Sequence, residues 1–521
     1  MRSEFANERL TDFADERNHL EYEAALKRVE ASLGKSYALV IGSERLMTEQ
    51  RLTSVNPARL DQTIGEAAQA DAGHAEKAMQ TAAQAYRSWS RVEPHARARC
   101  LFKAAAAMRR RKHEFSAWIT LEAGKTRAEA DAETAEAIDF MEFYGREMLR
   151  LSEPQPLTRL ADEDNELVYI PLGPGVVIPP WNFPLAITAG MTTAALVAGN
   201  TVVLKPSSQT PVIAALLVEL LLEAGIPEGA INYLPGPGGG IGDYLVDHRL
   251  TRFVCFTGSR DVGLRIYERA SRTAPGQIWM KRVIAEMGGK DAIVVDRDAD
   301  VELVSRAIVA SAFGYSGQKC SACSRAIVHK DVYEAVLARV VERTKRLVIG
   351  SPSERATDVG PVIDEKSYLH LMKAIANGKQ EGRLVMGGGT SESSGAGGTR
   401  GYYVEPTIFA KVGPTARLAQ EELFGPVVAF TKASSFEKAI AMANGTEYGL
   451  TGSVFSRDRA NLELARREFH VGNLYLNRKC TGALVGAHPF GGFNMSGTDS
   501  KAGGRDYLLL FTQAKLVSEL L

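Results

Sequence analysis

The sequence predicts an α/β protein with two mainly parallel sheets, and two series of alternating elements carry that expectation. Strand-like runs GVVIP, TVVLKP, INYLPG, RFVCFTGS and DAIVVD alternate with helical patterns such as TPVIAALLVELLLEAG and DVGLRIYERAS. Such alternation implies βαβ units whose parallel strands are covered on both faces. A second series follows: RAIVHK, a long helix over 332–347, RLVMGG, EPTIFA, VVAFTKA, a helix over 436–443, and GSVFS. A chain of 521 residues favours roughly three domains with ample chain for large cores.

Taken in order, the first hundred or so residues read as helical. The run from RARCLFKAAAAMRRR to DFMEFYGREML gives long amphipathic helices, with Arg109 to Lys112 on a solvated face. The stretch 183–203 carries no charge and is long enough on paper to span a bilayer. Pro184, Gly190, Gly199 and Asn200 interrupt it, so a buried helix followed by a buried strand is expected. The next helix has Glu219 and Glu223 at i,i+4 and is therefore amphipathic. The glycine-rich run 387–401 reads as a flexible surface loop.

Composition excludes several classes. Lys plus Arg and Asp plus Glu both number 62, so no basic footprint points to nucleic acid or an anionic membrane. Five irregularly spaced cysteines make no disulfide framework and favour a reducing compartment. The opening residues, MRSEFANERLTDFADERNHL, are too charged for a secretory signal and too acidic for a transit peptide. A cytoplasmic protein without a membrane span is expected.

Cys320, in GQKCSACS, and Glu286, in AEMGGK, are the residues with the most chemistry in them. A thiol with a carboxylate elsewhere can attack a carbonyl and then activate water. A free cysteine is often only a small buried hydrophobe. Gly314, Ser316, Gly317, Gln318 and Lys319 suit an exposed turn better, and Lys319 is expected to lower the thiol pKa. Cys320 and Cys323 also form a CxxC, the mark of a thiol–disulfide protein or half a zinc site. Cys100, Cys255 and Cys480 are isolated and His329 alone cannot complete four ligands, so no metal is expected. The glycines of PGPGGGIGDYL never complete GxGxxG, and in FTGSRDVG Leu264 and Arg265 replace the P-loop Lys and Ser/Thr. What remains there is a strand opening into a helix at Ser259, either an anion site or a plain tight turn.

Seven motifs, IPPWNFP, VVLKPS, FTGSRDVG, AEMGGK, GQKCSACS, EELFGPV and PFGGFNMSG, occur in the order and approximate spacing of the aldehyde dehydrogenase superfamily, which the chain resembles from about residue 40 onward. The resemblance implies a Rossmann-type NAD-binding domain over 1–149, including an N-terminal helical arm, and 173–285. It also implies a catalytic α/β domain over 286–499 and a small β oligomerisation element over 150–172 and 500–521, with a β-hairpin near 150–172. By the same resemblance Cys320 is the nucleophile, Glu286 the general base, and Asn182 with the backbone N–H of Cys320 the oxyanion donors. Lys205 would hold the adenosine ribose, Pro180 and Trp181 would line the cofactor, Gly258 and Ser259 would sit under the pyrophosphate, and Glu422 and Phe424 would place the nicotinamide. NAD is the expected cofactor. Ser208 stands where many NAD-preferring members carry a glutamate, which leaves room for NADP.

Lys319 and Ser321 flanking the thiol, with NRKCTGALVGAHPFGGFNMSGTDSKAGG, resemble the pyrroline-5-carboxylate dehydrogenase branch. That branch oxidises L-glutamate γ-semialdehyde to glutamate in proline catabolism. Ser321 and the backbone N–H groups of Gly482 and Ala483 would then hold the α-carboxylate, and Phe183 and Phe490 the aliphatic portion. Glu136 is expected either at the α-ammonium group or on a solvated helix face. Thiol tuning and substrate anchoring both fit Lys319. Another small semialdehyde, such as succinate semialdehyde, is the alternative substrate. The resemblance further implies a homo-oligomer, at least a dimer, and leaves open coupling with a proline dehydrogenase.

Overall fold

In the computed structural model, which describes residues 4–391 and 401–521, the two predicted α/β blocks are two seven-stranded sheets, except that DAIVVD, read with the first series, is a strand of the second sheet. Part of the predicted glycine-rich loop, 392–400, lies outside the described residues. The first sheet runs Arg282–Glu286, Phe253–Thr257, Pro174–Ile178, Thr201–Leu204 and Ile231–Tyr233 in parallel. An antiparallel pair, Leu39–Ile41 and Glu44–Leu46, finishes its far edge. The second sheet is ordered Arg383–Met386, Thr407–Ala410, Val427–Ala433, Cys323–His329, Asp291–Val295, Thr451–Phe455 and Asn473–Leu476. All its pairs are parallel except the edge strand Arg383–Met386. Central strands such as TVVL and DAIVV are wholly buried, which is why their sequences are continuous apolar runs rather than alternating ones.

The uncharged stretch 183–203 is indeed a buried helix, Ala186–Val197, followed by the buried strand Thr201–Leu204. Among the described residues no helix is long and apolar enough to cross a membrane.

The reading of the first hundred residues as helical is corrected. Helix Glu16–Glu30 is followed by five strands, Lys35–Tyr37, Leu39–Ile41, Glu44–Leu46, Arg51–Asn56 and Arg59–Ala68, before the helices Ala72–Trp89, Pro94–Arg110, Lys112–Ala123 and Arg127–Leu151 begin. The last two strands pair antiparallel around a turn in which Asn56 Oδ1 accepts from Ala58 N at 2.9 Å. Their polar, half-exposed residues give little hydrophobic period. The basic run is not merely solvated either: Arg109 pairs with Glu8 at 2.7 Å and Lys112 with buried Asp131 at 2.9 Å.

The expected hairpin near 150–172 is also corrected. One long helix ends at Leu151, and the single strand Glu163–Pro171 pairs antiparallel with Thr512–Leu520 from the other end of the chain. Between them, Tyr507, Leu508 and Phe511 pack into the core shared by the long helices and the first sheet.

The two sheets meet at residues 287–290. Glu286 is the last residue of the first sheet and Asp291 the first of the second. Asp291 is in register with Cys323, so the turn carrying Cys320 is delivered to this junction.

Candidate active site

Cys320 sits in the turn before the strand Cys323–His329. Two successive non-glycine residues of this segment, Tyr315 and Ser316, are left-handed, with φ of 51° and 54°. Such backbone persists only where surroundings hold it. Here Tyr315 OH donates to Ala123 O at 2.8 Å and Ser316 Oγ to Gly360 O at 2.6 Å. Gln318 Nε2 donates to Pro361 O, and Gln318 Oε1 accepts from Ile363 N at 2.9 Å. The expected exposed turn is buried over Tyr315 to Gln318, with Ser316 and Gln318 1% and 0% exposed, while Lys319 and Cys320 are half-buried. Small and polar residues suit it because their hydrogen bonds are made inside.

Asn182, 4% exposed, donates its side-chain amide to Gln318 O at 3.0 Å, which fixes that amide against the nucleophile turn. Burial pushes the Cys320 thiol well up, and the carboxylates of Asp291, Glu422 and Glu286 push it further. Whatever Lys319 contributes, burial and these carboxylates dominate the thiol. The Lys319 ammonium is held by both oxygens of Glu129, at 2.8 and 2.7 Å. The CxxC partner Cys323 is fully buried and donates to Arg325 O at 3.4 Å, and all five cysteines are free. Among the described residues, no group of three or more His, Cys, Asp or Glu could hold a metal ion.

Burial raises the Glu286 carboxyl to about 8, against lowering by Ser500 and Lys501. Its backbone carbonyl accepts from Gly258 N at 3.1 Å, which ties Glu286 to the loop that opens helix Arg260–Ala270. Ser259, exposed, stands at that helix's N-cap with no side-chain cap bond.

The linker glycines are explained by close approach. A Cβ on Gly288 would lie 2.1 Å from Glu422 Oε2, and one on Gly289 would lie 2.4 Å from Cys320 O and 2.6 Å from Asp291 Oδ2. Gly289 N also donates to Glu422 Oε1 at 3.0 Å. Burial holds Glu422 up at about 7. Phe424, left-handed at φ 57°, meets Trp181 edge to face with ring centroids 5.4 Å apart, beside half-buried Pro180.

Lys205 is 4% exposed; its ammonium donates to Pro206 O at 3.0 Å, and burial lowers it to about 8. An ammonium has three donors, so a ribose hydroxyl could be taken up there. Ser208, half-buried three residues on, adds no negative charge. These residues fit a dinucleotide: a buried donor at one end, and a glycine-cleared carboxylate with two rings at the other.

Several of the remaining predicted residues lie around a cluster the motifs did not reveal. Lys125, 0% exposed, pairs with Glu133 at 2.7 Å and stands 3.5 Å over the Phe183 ring and 4.5 Å over Tyr315. Glu133 Oε1 in turn accepts from Leu185 N and Ala186 N, at the start of the helix after Asn182. Burial pushes Glu129 up, but Lys319 and Lys125 outweigh it and leave the carboxyl below its ordinary value. Lys479 feels both Lys319 and Glu129, which brings in the loop of Gly482, left-handed at φ 78°, and Ala483. Burial, with Glu133 nearby, raises the Glu136 carboxyl to about 8, and the residue is half-buried, not fully solvated. Ser321, 8% exposed, accepts at its carbonyl from Cys480 Sγ at 3.4 Å. Phe490 exchanges two backbone bonds with Ala502, at 2.8 and 2.7 Å, on the base side of the site. Lys125, Glu129, Glu133, Asp291 and Ser500 were missed, since Lys125, Glu129 and Glu133 lie in a stretch, LEAGKTRAEADAE, whose many charges read as a solvated helix surface.

Comparison with known proteins matches this geometry. The model of the aldehyde dehydrogenase family covers residues 46–517. The 1-pyrroline-5-carboxylate dehydrogenase of Geobacillus kaustophilus is 62% identical over 516 residues, 99% of either chain. A solved 1-pyrroline-5-carboxylate dehydrogenase from Thermus with bound NAD has 48% identity and a TM-score of 0.97 over 100% of both chains. Proline utilization A (PutA) from Bdellovibrio bacteriovorus, inactivated by N-propargylglycine, has 44% identity and a TM-score of 0.96 over 99% of this chain and 53% of its own. A thiol turn clamped by an asparagine amide at the junction of two sheets, and a family match over nearly the whole length, lead to one conclusion: this chain belongs to the aldehyde dehydrogenase family.

Proposed function

We propose that the protein oxidises L-glutamate γ-semialdehyde, the open form of 1-pyrroline-5-carboxylate, to L-glutamate with NAD. The relatives bearing that name, at 62% and 48% identity, support the substrate and the cofactor. The observation that carries the chemistry is the Asn182 amide fixed at 3.0 Å on the backbone of the nucleophile turn.

Cys320, once its thiol proton has passed to solvent, adds its sulfur as the thiolate to the aldehyde carbon, and the Asn182 amide with the Cys320 N–H receives the oxyanion; preorganised donors of this kind are usually the largest single contribution to such a step. Lys205, Pro180, Trp181, Gly258, Ser259, Glu422 and Phe424 would hold NAD, which when bound would supply the acceptor for the hydride that the tetrahedral carbon loses. The product left on Cys320 is a thioester. Glu286 takes a proton from water, the resulting hydroxide adds to the thioester, and glutamate leaves as the Cys320 thiolate is restored. A base with a pKa of about 8 is well matched to that task near neutrality. Ser321 and the N–H groups of Gly482 and Ala483 hold the α-carboxylate, Phe183 and Phe490 flank the chain, and Glu136 faces the α-ammonium group. Lys319, paired with Glu129, contributes by shaping the anchor and not by tuning the thiol. Ser208 leaves NADP as a second cofactor.

The division into a cofactor-binding domain, a catalytic domain beginning at Glu286 and a β arm is supported by the two sheets and the isolated pair Glu163–Pro171 and Thr512–Leu520. That arm exposes Leu516, Val517 and Leu520, which supports a homo-oligomer, at least a dimer. The PutA relative, of which this chain spans 53%, supports coupling to a proline-oxidising partner. Five free cysteines support a cytoplasmic protein.

The test is NADH formation by the purified protein with pyrroline-5-carboxylate against succinate semialdehyde under saturating NAD. Much higher catalytic efficiency with pyrroline-5-carboxylate is expected. Equal or better efficiency with succinate semialdehyde overturns the substrate.

A further inference from the structure

The segment 496–502 encloses the end of the strand that carries Glu286. Ala285 N donates to Thr498 Oγ1 at 3.0 Å, Thr498 N to Ala285 O at 2.9 Å, and Met287 N to Ser496 O at 2.7 Å. The segment is therefore stitched to the backbone on both sides of the base. Ser500 lies between two left-handed residues, Asp499 at φ 56° and Lys501 at φ 42°. Lys501 is locked in turn, its ammonium donating to Gly472 O at 2.7 Å and Gly491 O at 2.6 Å. Ser500 is 3% exposed and its hydroxyl donates to Glu286 Oε1. A Cβ on Gly491 would lie 2.8 Å from that same oxygen and 2.8 Å from Lys501 N, so this side of the carboxylate is packed against backbone. Its other oxygen, Oε2, is buried without a hydrogen-bond partner.

We propose that Ser500 is a positioning residue for deacylation: its hydroxyl anchors one oxygen of Glu286 so that the other is presented to the hydrolytic water. This rests on the reading of Cys320 as nucleophile and Glu286 as base. The hydroxyl is a donor to the ionised form of the carboxylate, a bond that favours that form. The titratable groups acting on Glu286 from the elements around it are Lys501, Cys320, Cys255 and Tyr507, of which Lys501 supplies positive charge. Lys501 alone does not orient the carboxylate, because its ammonium is committed to two carbonyls.

The experiment needs neither NAD nor the proposed substrate. With p-nitrophenyl acetate, the Cys320 thiolate adds to the ester carbonyl and expels p-nitrophenolate, leaving an acetyl thioester. Glu286 then removes a proton from water, hydroxide adds, the C–S bond breaks, acetate and thiolate separate, and Glu286 returns its proton to solvent. Rapid-mixing traces separate the nitrophenolate burst from the steady state that follows, at a series of pH values. Ser500→Ala is expected to keep the burst rate. Its steady-state rate at neutral pH falls about 10- to 100-fold, with the pH midpoint moved up by about one to two units. Ser500→Thr, which keeps the hydroxyl, restores both. An unmoved midpoint in Ser500→Ala, or burst and steady state falling together, would overturn the proposal, since a merely structural serine behaves so. A burst that survives Cys320→Ala would overturn the nucleophile assignment itself, and the proposal with it.

Discussion

Gly288 and Gly289 are neighbours in sequence but face different halves of the chemistry, and substituting each with alanine separates those halves. In Gly288→Ala the new Cβ would stand 2.1 Å from Glu422 Oε2, 2.6 Å from its Cδ and 2.7 Å from Oε1. The Glu422 side chain must swing away, which breaks its 3.0 Å bond from Gly289 N. A hydrogen bond to a charged group is worth about 1.5–3 kcal/mol, so NAD affinity should fall about 10- to 150-fold if Glu422 places the nicotinamide ribose. The thiol turn is untouched by this change. In Gly289→Ala the obstruction is backbone, Cys320 O at 2.4 Å, with Asp291 Oδ2 at 2.6 Å. Backbone cannot swing aside, so the turn itself must shift. The assays are NAD titration by calorimetry and, without cofactor, the rate of Cys320 alkylation by iodoacetamide, followed by mass spectrometry. Gly288→Ala should lose NAD affinity and alkylate at least as fast as the parent, because the displaced Glu422 carboxylate no longer pushes the thiol up, and Gly289→Ala should show a changed alkylation rate because the turn itself moves. Parental NAD affinity in Gly288→Ala would refute the assignment of Glu422 to the cofactor.

Two further outcomes follow from the anchor cluster. Ser321→Ala removes one donor to the substrate carboxylate, so kcat/KM with glutamate semialdehyde should drop about tenfold to a hundredfold, whereas propanal, which has no carboxylate, should be turned over at an unchanged rate. A parallel fall with both would mean that Ser321 shapes the Cys320 turn instead. Glu136, raised by burial from 4.5 to about 8, stays protonated in the folded protein over a range in which the unfolded chain has released that proton. The folded state therefore binds more protons in this window, and the stability contribution, complete below 4.5, is lost as pH rises toward 8. The melting temperature should thus fall between about pH 5 and pH 8, and Glu136→Gln should reduce that fall; identical pH slopes in the two proteins would count against a desolvated Glu136.

The parallel strands of both sheets were legible in the sequence because a strand buried on two faces must be a continuous apolar run, as TVVL and DAIVV are. The residues proposed for the reaction stood out for a similar reason: Cys320, Glu286 and Asn182 each lie in a short motif. The strands over 35–68 were not, since half-exposed polar strands carry no strong period. The β arm was misread because its two strands come from opposite ends of the chain, a pairing that no local pattern encodes. The electrostatics of the site were equally hidden. Lys319 looks like a tuner of Cys320 in sequence, but folding brings Glu129, 190 positions away, onto its ammonium. The hydroxyl that steadies Glu286 comes from Ser500, 214 positions along. Local motifs determine which groups can react. The charge, orientation and partners of those groups depend on interactions that fall off within a few ångströms, and only the tertiary structure decides which residues come that close.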